Sequence, residues 1–148
     1  SVVRIAPDCY PLPGDEIVGI VTMGEGVVVY PVGAPALDQF EEQPERWVAM
    51  RWDHATMNEA RLFDSRLNLT VVNRTGSLSI VAQTIADFDA NIANLALTQR
   101  DQDFCDLTLD IEVRDIQHAE QLVKALQGSS VVSAASRQLT GEASLSRD

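Results

Sequence analysis

Residues 67–97 contain a change of hydrophobic period that few folds accommodate. Leu67, Leu69 and Val71 alternate with polar neighbours as one face of a strand, whereas Leu78, Val81, Ala82, Ile85 and Phe88 fall at the spacing of one helical face. Between the two, Asn73, Arg74, Thr75, Gly76 and Ser77 must reverse the chain within five residues, so Gly76 supplies backbone freedom. The amides that follow point out of the new helix's N-terminus and favour a negative charge, a carboxylate above all.

The chain beyond the helix continues the pattern. Asn91 opens a strand that runs to about Gln99, and Arg100–Asp103 turns it back. From Phe104 to Val113 the alternation is the clearest in the molecule. Cys105, Leu107, Leu109, Ile111 and Val113 face one way, and Asp106, Thr108, Asp110 and Glu112 face the other, which predicts a strand with one wet face. Asp115 is placed to cap a helix whose stripe is Ile116, Ala119, Leu122, Val123 and Leu126, ending at Gly128. Val131–Leu139 supplies a last strand, and the polar residues from Thr140 predict a mobile tail. The order βαββαβ is that of a ferredoxin-like α+β domain, a four-stranded antiparallel sheet with both helices on one face.

A strand ending in Asn-Arg-x-Gly-x-Leu, then a helix, then a strand opening Asn-Ile resembles the ACT domain, a small ligand-binding module of amino-acid-regulated enzymes. The resemblance implies an amino-acid effector held against the glycine turn, its carboxylate on turn amides and its ammonium on polar side chains. Carried over residue by residue, the ligand-binding positions are Asn73, Arg74, Thr75, Gly76, Ser77, Leu78, Asn91, Ile92 and Ala93. Apolar surface at Leu78, Ile92 and Leu95 favours valine, isoleucine or leucine as the free amino acid. Taken singly, Asn73, Gly76 and Asn91 read as ordinary turn and cap residues.

Upstream, Pro13-Gly14 reads as a turn, Ile17–Met23 as a strand, Gly24-Glu25-Gly26 as a hairpin loop and Val27–Tyr30 as the return strand. This small β-hairpin module resembles the cysteine-containing, zinc-finger-like domain, also called ribosome-intersubunit, that precedes the ACT domain in RelA/SpoT-type (p)ppGpp synthetases and hydrolases. Pro11, Pro13, Gly14, Asp15, Ile17, Val18, Gly19, Gly24, Gly26 and Val27 stand in the matching places. The family's ligand set is degraded: Asp8, Tyr30 and Ala34 occupy positions of its first cysteine, its histidine and its last cysteine, and Cys9 alone remains. A structural zinc site wants four Cys/His ligands, so no metal and no cofactor is expected.

Trp47–Trp52 has strand chemistry, with Val48, Met50 and Trp52 on one side and Trp47, Ala49 and Arg51 on the other, and both tryptophans read as core residues. Asp53–Asp64 reads as a linker. His54 and His118 have no partners at metal-ligand or triad spacing, and Cys9 and Cys105 define no disulfide framework. The carboxylates of residues 106–112 read as a solvated face rather than a catalytic pair. A net charge of −11 argues against an autonomous nucleic-acid or anionic-membrane binder. No apolar run approaches the roughly 20 residues of a bilayer span, so no membrane is implied and a cytoplasmic location is expected.

The expected organisation is 1–60 for the degenerate module with its linker, 61–140 for the ACT domain and 141–148 for the tail. The two resemblances, in this order, imply a regulatory region that catalyses nothing itself, in a parent chain whose catalytic domains lie N-terminal to it. They imply a homodimer that senses an amino acid to control alarmone metabolism allosterically. The competing implications are a ribosome and tRNA contact module and a purely structural dimerisation unit.

Overall fold

The computed structural model describes residues 2–53 and 61–141. His54 and the polar tail beyond Gly141 lie outside the described residues. Strands β1 (Val3–Ile5), β2 (Ile17–Thr22), β3 (Gly26–Pro31) and β4 (Trp47–Ala49) form one sheet in the order β1-β3-β2-β4. The Gly24-Glu25-Gly26 loop closes the β2–β3 hairpin as its sequence requires, and β1 adds to it in parallel. Ile20 on this sheet packs with Leu37 and Phe40 of the short 3₁₀ turn Pro35–Phe40 and with Ala34 just before it.

Strand β4 is shorter than the expected 47–52 run, yet the alternation persists: Val48, Met50 and Trp52 are half-buried and Trp47, Ala49 and Arg51 are exposed. Trp47 is therefore not a core residue. Its indole N–H donates to the Phe40 carbonyl while the ring stays 37% exposed. Trp52 does pack on the main core, edge-on to Phe63.

The second sheet contains β5 (Phe63–Val72), β6 (Asn91–Arg100), β7 (Phe104–Val113) and β8 (Val132–Gln138), all antiparallel, in the order β6-β7-β5-β8. With α1 (Ser77–Asp87) after β5 and α2 (Ile116–Gln127) after β7, this is the βαββαβ order of the ferredoxin-like class. Leu67, Leu69, Leu107, Leu109, Ile111, Val81, Ile85, Leu122 and Leu126 fill the layer between sheet and helices and are essentially inaccessible to water. Asp115 caps α2 by accepting from the His118 amide at 2.8 Å.

Two faces differ from their sequence reading. Helix α1 turns Ser77, Val81 and Ile85 inward, leaving Leu78 51% exposed and Ala82 at the surface. The polar side of β7 is not a solvated face. Thr108 is buried, Asp106, Asp110 and Glu112 are half-buried, and each is tied across the sheet: Thr70 donates to Asp106, Arg66 to Asp110, Asn91 to Glu112 and Thr108 to Asn68. Such cross-strand pairs specify register as well as adding stability.

Candidate functional site

The turn between β5 and α1 has the conformation its sequence demands. Gly76 is left-handed, with φ of 91°, and a Cβ there would meet nothing within 4 Å, so glycine is needed for the backbone and not for space. No side chain caps α1. Among the described residues the amides of Thr75, Gly76, Leu78 and Ser79 have no acceptor, whereas the Ser77 amide is engaged by the Arg74 carbonyl at 3.2 Å. The Ser77 hydroxyl is buried without a partner. The four free amides at the helix start are the groups that can receive an anionic oxygen; the Ser77 hydroxyl beneath them is closed to solvent. Asn73 Nδ2 donates to the Asp101 carbonyl at 2.7 Å, which fastens the turn to the β6–β7 connection and leaves its Oδ1 available to accept.

The structure brings six of the nine sequence-derived ligand residues together and separates the other three. Asn73 to Leu78 cluster at the C-terminal end of β5. Asn91, Ile92 and Ala93 start β6, and Asn91 pairs with Glu112 at the opposite end of the sheet. Ten residues of strand separate the two ends, about 25–30 Å. Ile92 packs against the core, Ala93 is exposed at a bulge, and the Asn91 amide is spent on Glu112. One copy of the chain therefore does not close a pocket from all nine residues. Cavities of about 600 Å³ beside α2 and β8 and about 630 Å³ between β1, residues 50–53 and Phe63 do not touch the turn.

Strand β6 is an edge of the sheet. Leu95 and Leu97 pair in register with the buried Leu109 and Leu107, so they lie on the helix side, yet they are 43% and 52% exposed. Sequence reasoning sought pocket walls at Leu78, Ile92 and Leu95; the structure packs Ile92 on the core and leaves Leu78 and Leu95 as open surface, Leu95 on a strand whose outer edge is unpaired.

The positions that would hold a metal in the small module do not fit one. Ala34 has no donor, the Tyr30 ring lies against Phe40, and only the Cys9 thiol remains beside Asp8. Burial, and then the Asp8 charge, push that thiol's pKa up, the opposite of what a thiolate ligand needs. Among the described residues no group of three or more His, Cys, Asp or Glu side chains is placed to hold a metal ion. His118 is a core residue: Nδ1 accepts from the Arg114 amide, and Nε2 lies 2.5 Å from the Phe88 carbonyl.

What sequence reasoning missed is the junction between the two sheets. Segment Asp8–Asp15 lies along the end of β8. Tyr10 N–H donates to Leu139 O and Gly141 N–H to Asp8 O, both at 2.8 Å, with Cys9 facing Thr140 as an antiparallel bridge. Arg137 reaches from β8 to the Asp15 carboxylate through both terminal nitrogens, and also to Tyr10 O. Both members of this ion pair are largely buried, with side chains 14% and 10% exposed. Leu12 is wholly buried in the core of the second domain. The Pro13 carbonyl accepts from Ile116 N–H at the start of α2, and Trp52 Nε1 donates to Asp15 O. Arg66, held by Asp110, stacks 4.5 Å from the Tyr10 ring centroid. Asp15 and Arg137 are 122 residues apart in sequence, and no local pattern connects them.

Sheet order and helix placement define a small α+β domain of the ferredoxin-like class, with an open helix N-terminus at its first turn. The chain belongs to the ACT domain family, whose profile matches residues 59–137, and a RelA/SpoT RIS domain profile matches residues 1–53 ahead of it. Together they make this a RelA/SpoT-type regulatory region. It is 41% identical over 135 residues to GTP pyrophosphokinase rsh of Brucella ovis, covering 91% of this chain and 18% of that protein. It is 30% identical over 127 residues to a GTP pyrophosphokinase of Streptomyces coelicolor, covering 85% and 14%. It is 24% identical over 125 residues to the bifunctional (p)ppGpp synthase/hydrolase SpoT of Escherichia coli, covering 84% and 17%. The chain thus spans under a fifth of the length of these curated relatives. Among the described residues no helix is long and apolar enough to cross a membrane.

Proposed function

We propose that this chain is the amino-acid-sensing part of a bifunctional (p)ppGpp synthetase/hydrolase, and that two copies together bind a branched-chain amino acid which biases alarmone metabolism carried out elsewhere in the parent chain. The observation that carries the reading is the N-terminus of α1, with free amides at Thr75, Gly76, Leu78 and Ser79 around the buried, unpartnered Ser77 hydroxyl. An α-carboxylate carries the charge that such free helix-start amides favour.

A second copy supplies what one copy lacks. Antiparallel pairing of two β6 edges about a two-fold axis sets the Asn91 end of each strand beside the Arg100 end, and hence the glycine turn, of the other. The same pairing covers Leu95 and Leu97 and gives an apolar wall next to Leu78. Effector binding at such a junction biases whichever arrangement of the copies forms it, which is how an effector with unequal affinity for two states regulates.

Each buried CH₂ is worth about 0.8 kcal/mol, so valine outbinds alanine by about 1.6 kcal/mol, roughly fifteenfold. Calorimetry with a panel of free amino acids tests the ligand. Subunit mixing tests the geometry: Asn73→Ala and Asn91→Ala each abolish binding alone, and mixing the two restores a fraction of the sites, because a heterodimer keeps one junction with both asparagines. The reading fails if valine, isoleucine and leucine leave no heat at millimolar concentration, or if binding survives both substitutions.

A further inference from the structure

The small module resembles domains built around a metal, yet its donors do not fit one, and the segment a metal would pin is engaged by something else. Residues 8–10 pair with residues 139–141, the Leu12–Asp15 turn is closed by Leu12 N–H on the Asp15 carboxylate at 2.7 Å, and that carboxylate is gripped by Arg137. Gly14, with φ of 110°, lets the turn press on α2: a Cβ there would fall 2.2 Å from Ile116 Cγ2. Apart from the turn's own hydrogen bond, these anchors come from α2, from β8 and from the residues that directly follow β8.

We propose that the ACT domain does for this module the work of the missing metal: Asp8–Asp15 is a latch, keyed by Arg137, and the module separates from the ACT sheet through one discrete step in which this latch opens while the ACT core stays folded. The physical basis is the uneven distribution of contacts. The ACT sheet holds itself together through β5, β7 and the helices, whereas the latch depends on one buried ion pair, one inserted leucine, the Arg66–Tyr10 stack, the Trp52 indole on Asp15 O and a few bonds to its backbone. Local opening of this kind draws on the weakest cooperative unit of a structure. Removing one partner of a buried ion pair leaves an uncompensated charge and opens that unit first.

Cys9 is the reporter, because it is buried between Ala6 and Val28 of the small module on one side and the Thr140 bridge of the latch on the other. The experiment uses the whole chain carrying Cys105→Ser, so that alkylation by iodoacetamide reads Cys9 alone, with hydrogen exchange at Leu107–Ile111 measured in parallel as the gauge of the ACT core. Arg137→Gln and, as the gentler variant, Asp15→Asn are expected to accelerate Cys9 alkylation at least tenfold, while exchange in β7 changes less than twofold. Treatment with EDTA is expected to change neither rate. The proposal is overturned if EDTA accelerates alkylation, since a metal then holds the segment. It is equally overturned if both variants leave the alkylation rate within twofold of the parent, or if β7 exchange rises by the same factor as alkylation, since opening is then global unfolding.

Discussion

Leu12 is the sharpest test of the docked arrangement, because a residue from one family unit is buried in the core of the other. Its side chain is wholly inaccessible and lies in one cluster with Phe63, Leu67, Leu122 and Leu126 of the ACT domain. Leu12→Ala removes three carbons and leaves a cavity whose walls belong to a sheet and two helices that cannot collapse freely. The cost for a fully buried leucine in such surroundings is about 3–5 kcal/mol, a large part of the roughly 5–15 kcal/mol that holds a domain folded. At about 2–4 °C of melting temperature per kcal/mol for a chain of this size, the midpoint falls by roughly 6–20 °C. The assay is urea unfolding followed by far-ultraviolet circular dichroism, with calorimetric melting as an independent measure. A loss below about 1 kcal/mol would refute the reasoning, since the site then either lies open in solution or is vacated at little cost.

Three further outcomes are expected. Gly14→Ala combines a left-handed backbone with a Cβ clash on Ile116 and lowers stability by at least about 1–3 kcal/mol, whereas Gly76→Ala carries the backbone strain alone and costs about 1 kcal/mol; urea titration ranks the pair. Asp115→Ala deletes the cap that accepts from the His118 amide and costs about 1 kcal/mol, read from the same titrations, with Asp115→Asn retaining most of it. On the proposed pairing of two β6 edges, Leu97→Lys places a charge on that edge and yields a monomer in sedimentation equilibrium where the parent chain is a dimer; a variant that still dimerises removes β6 as the pairing edge.

Much of the fold was legible because two strands and one helix carry strict periods. Cys105 to Val113 alternates without interruption, and Ala119, Leu122 and Leu126 keep one helical face. Helix α1 was legible as a helix but not in its rotation. Hydrophobicity selects Leu78, while the buried face of the helix begins at the small Ser77, so the apolar residue is left outside. The turn at Asn73–Ser77 could be read from its glycine, and its separation from Asn91 follows from strand length: a ten-residue strand cannot have both ends in one pocket. The latch was not readable at all. Pro13-Gly14-Asp15 announces a turn, but that its carboxylate is taken by Arg137 and its leucine by another core depends on how two sheets meet, which no local period encodes.

The two tryptophans have unequal surroundings, and that gives the chain its own optical gauge. Trp47 sits on the outer surface of the small module, its indole tied to Phe40 within that module. Trp52 stands at the seam, donating to the Asp15 carbonyl and meeting the Phe63 ring at 5.5 Å, nearly perpendicular. A movement of the two sheets relative to each other changes the polarity and the ring neighbour of Trp52 and leaves those of Trp47 as they were. In a Trp47→Phe chain, emission colour and quenching by iodide therefore follow the seam alone, in real time and without an attached dye.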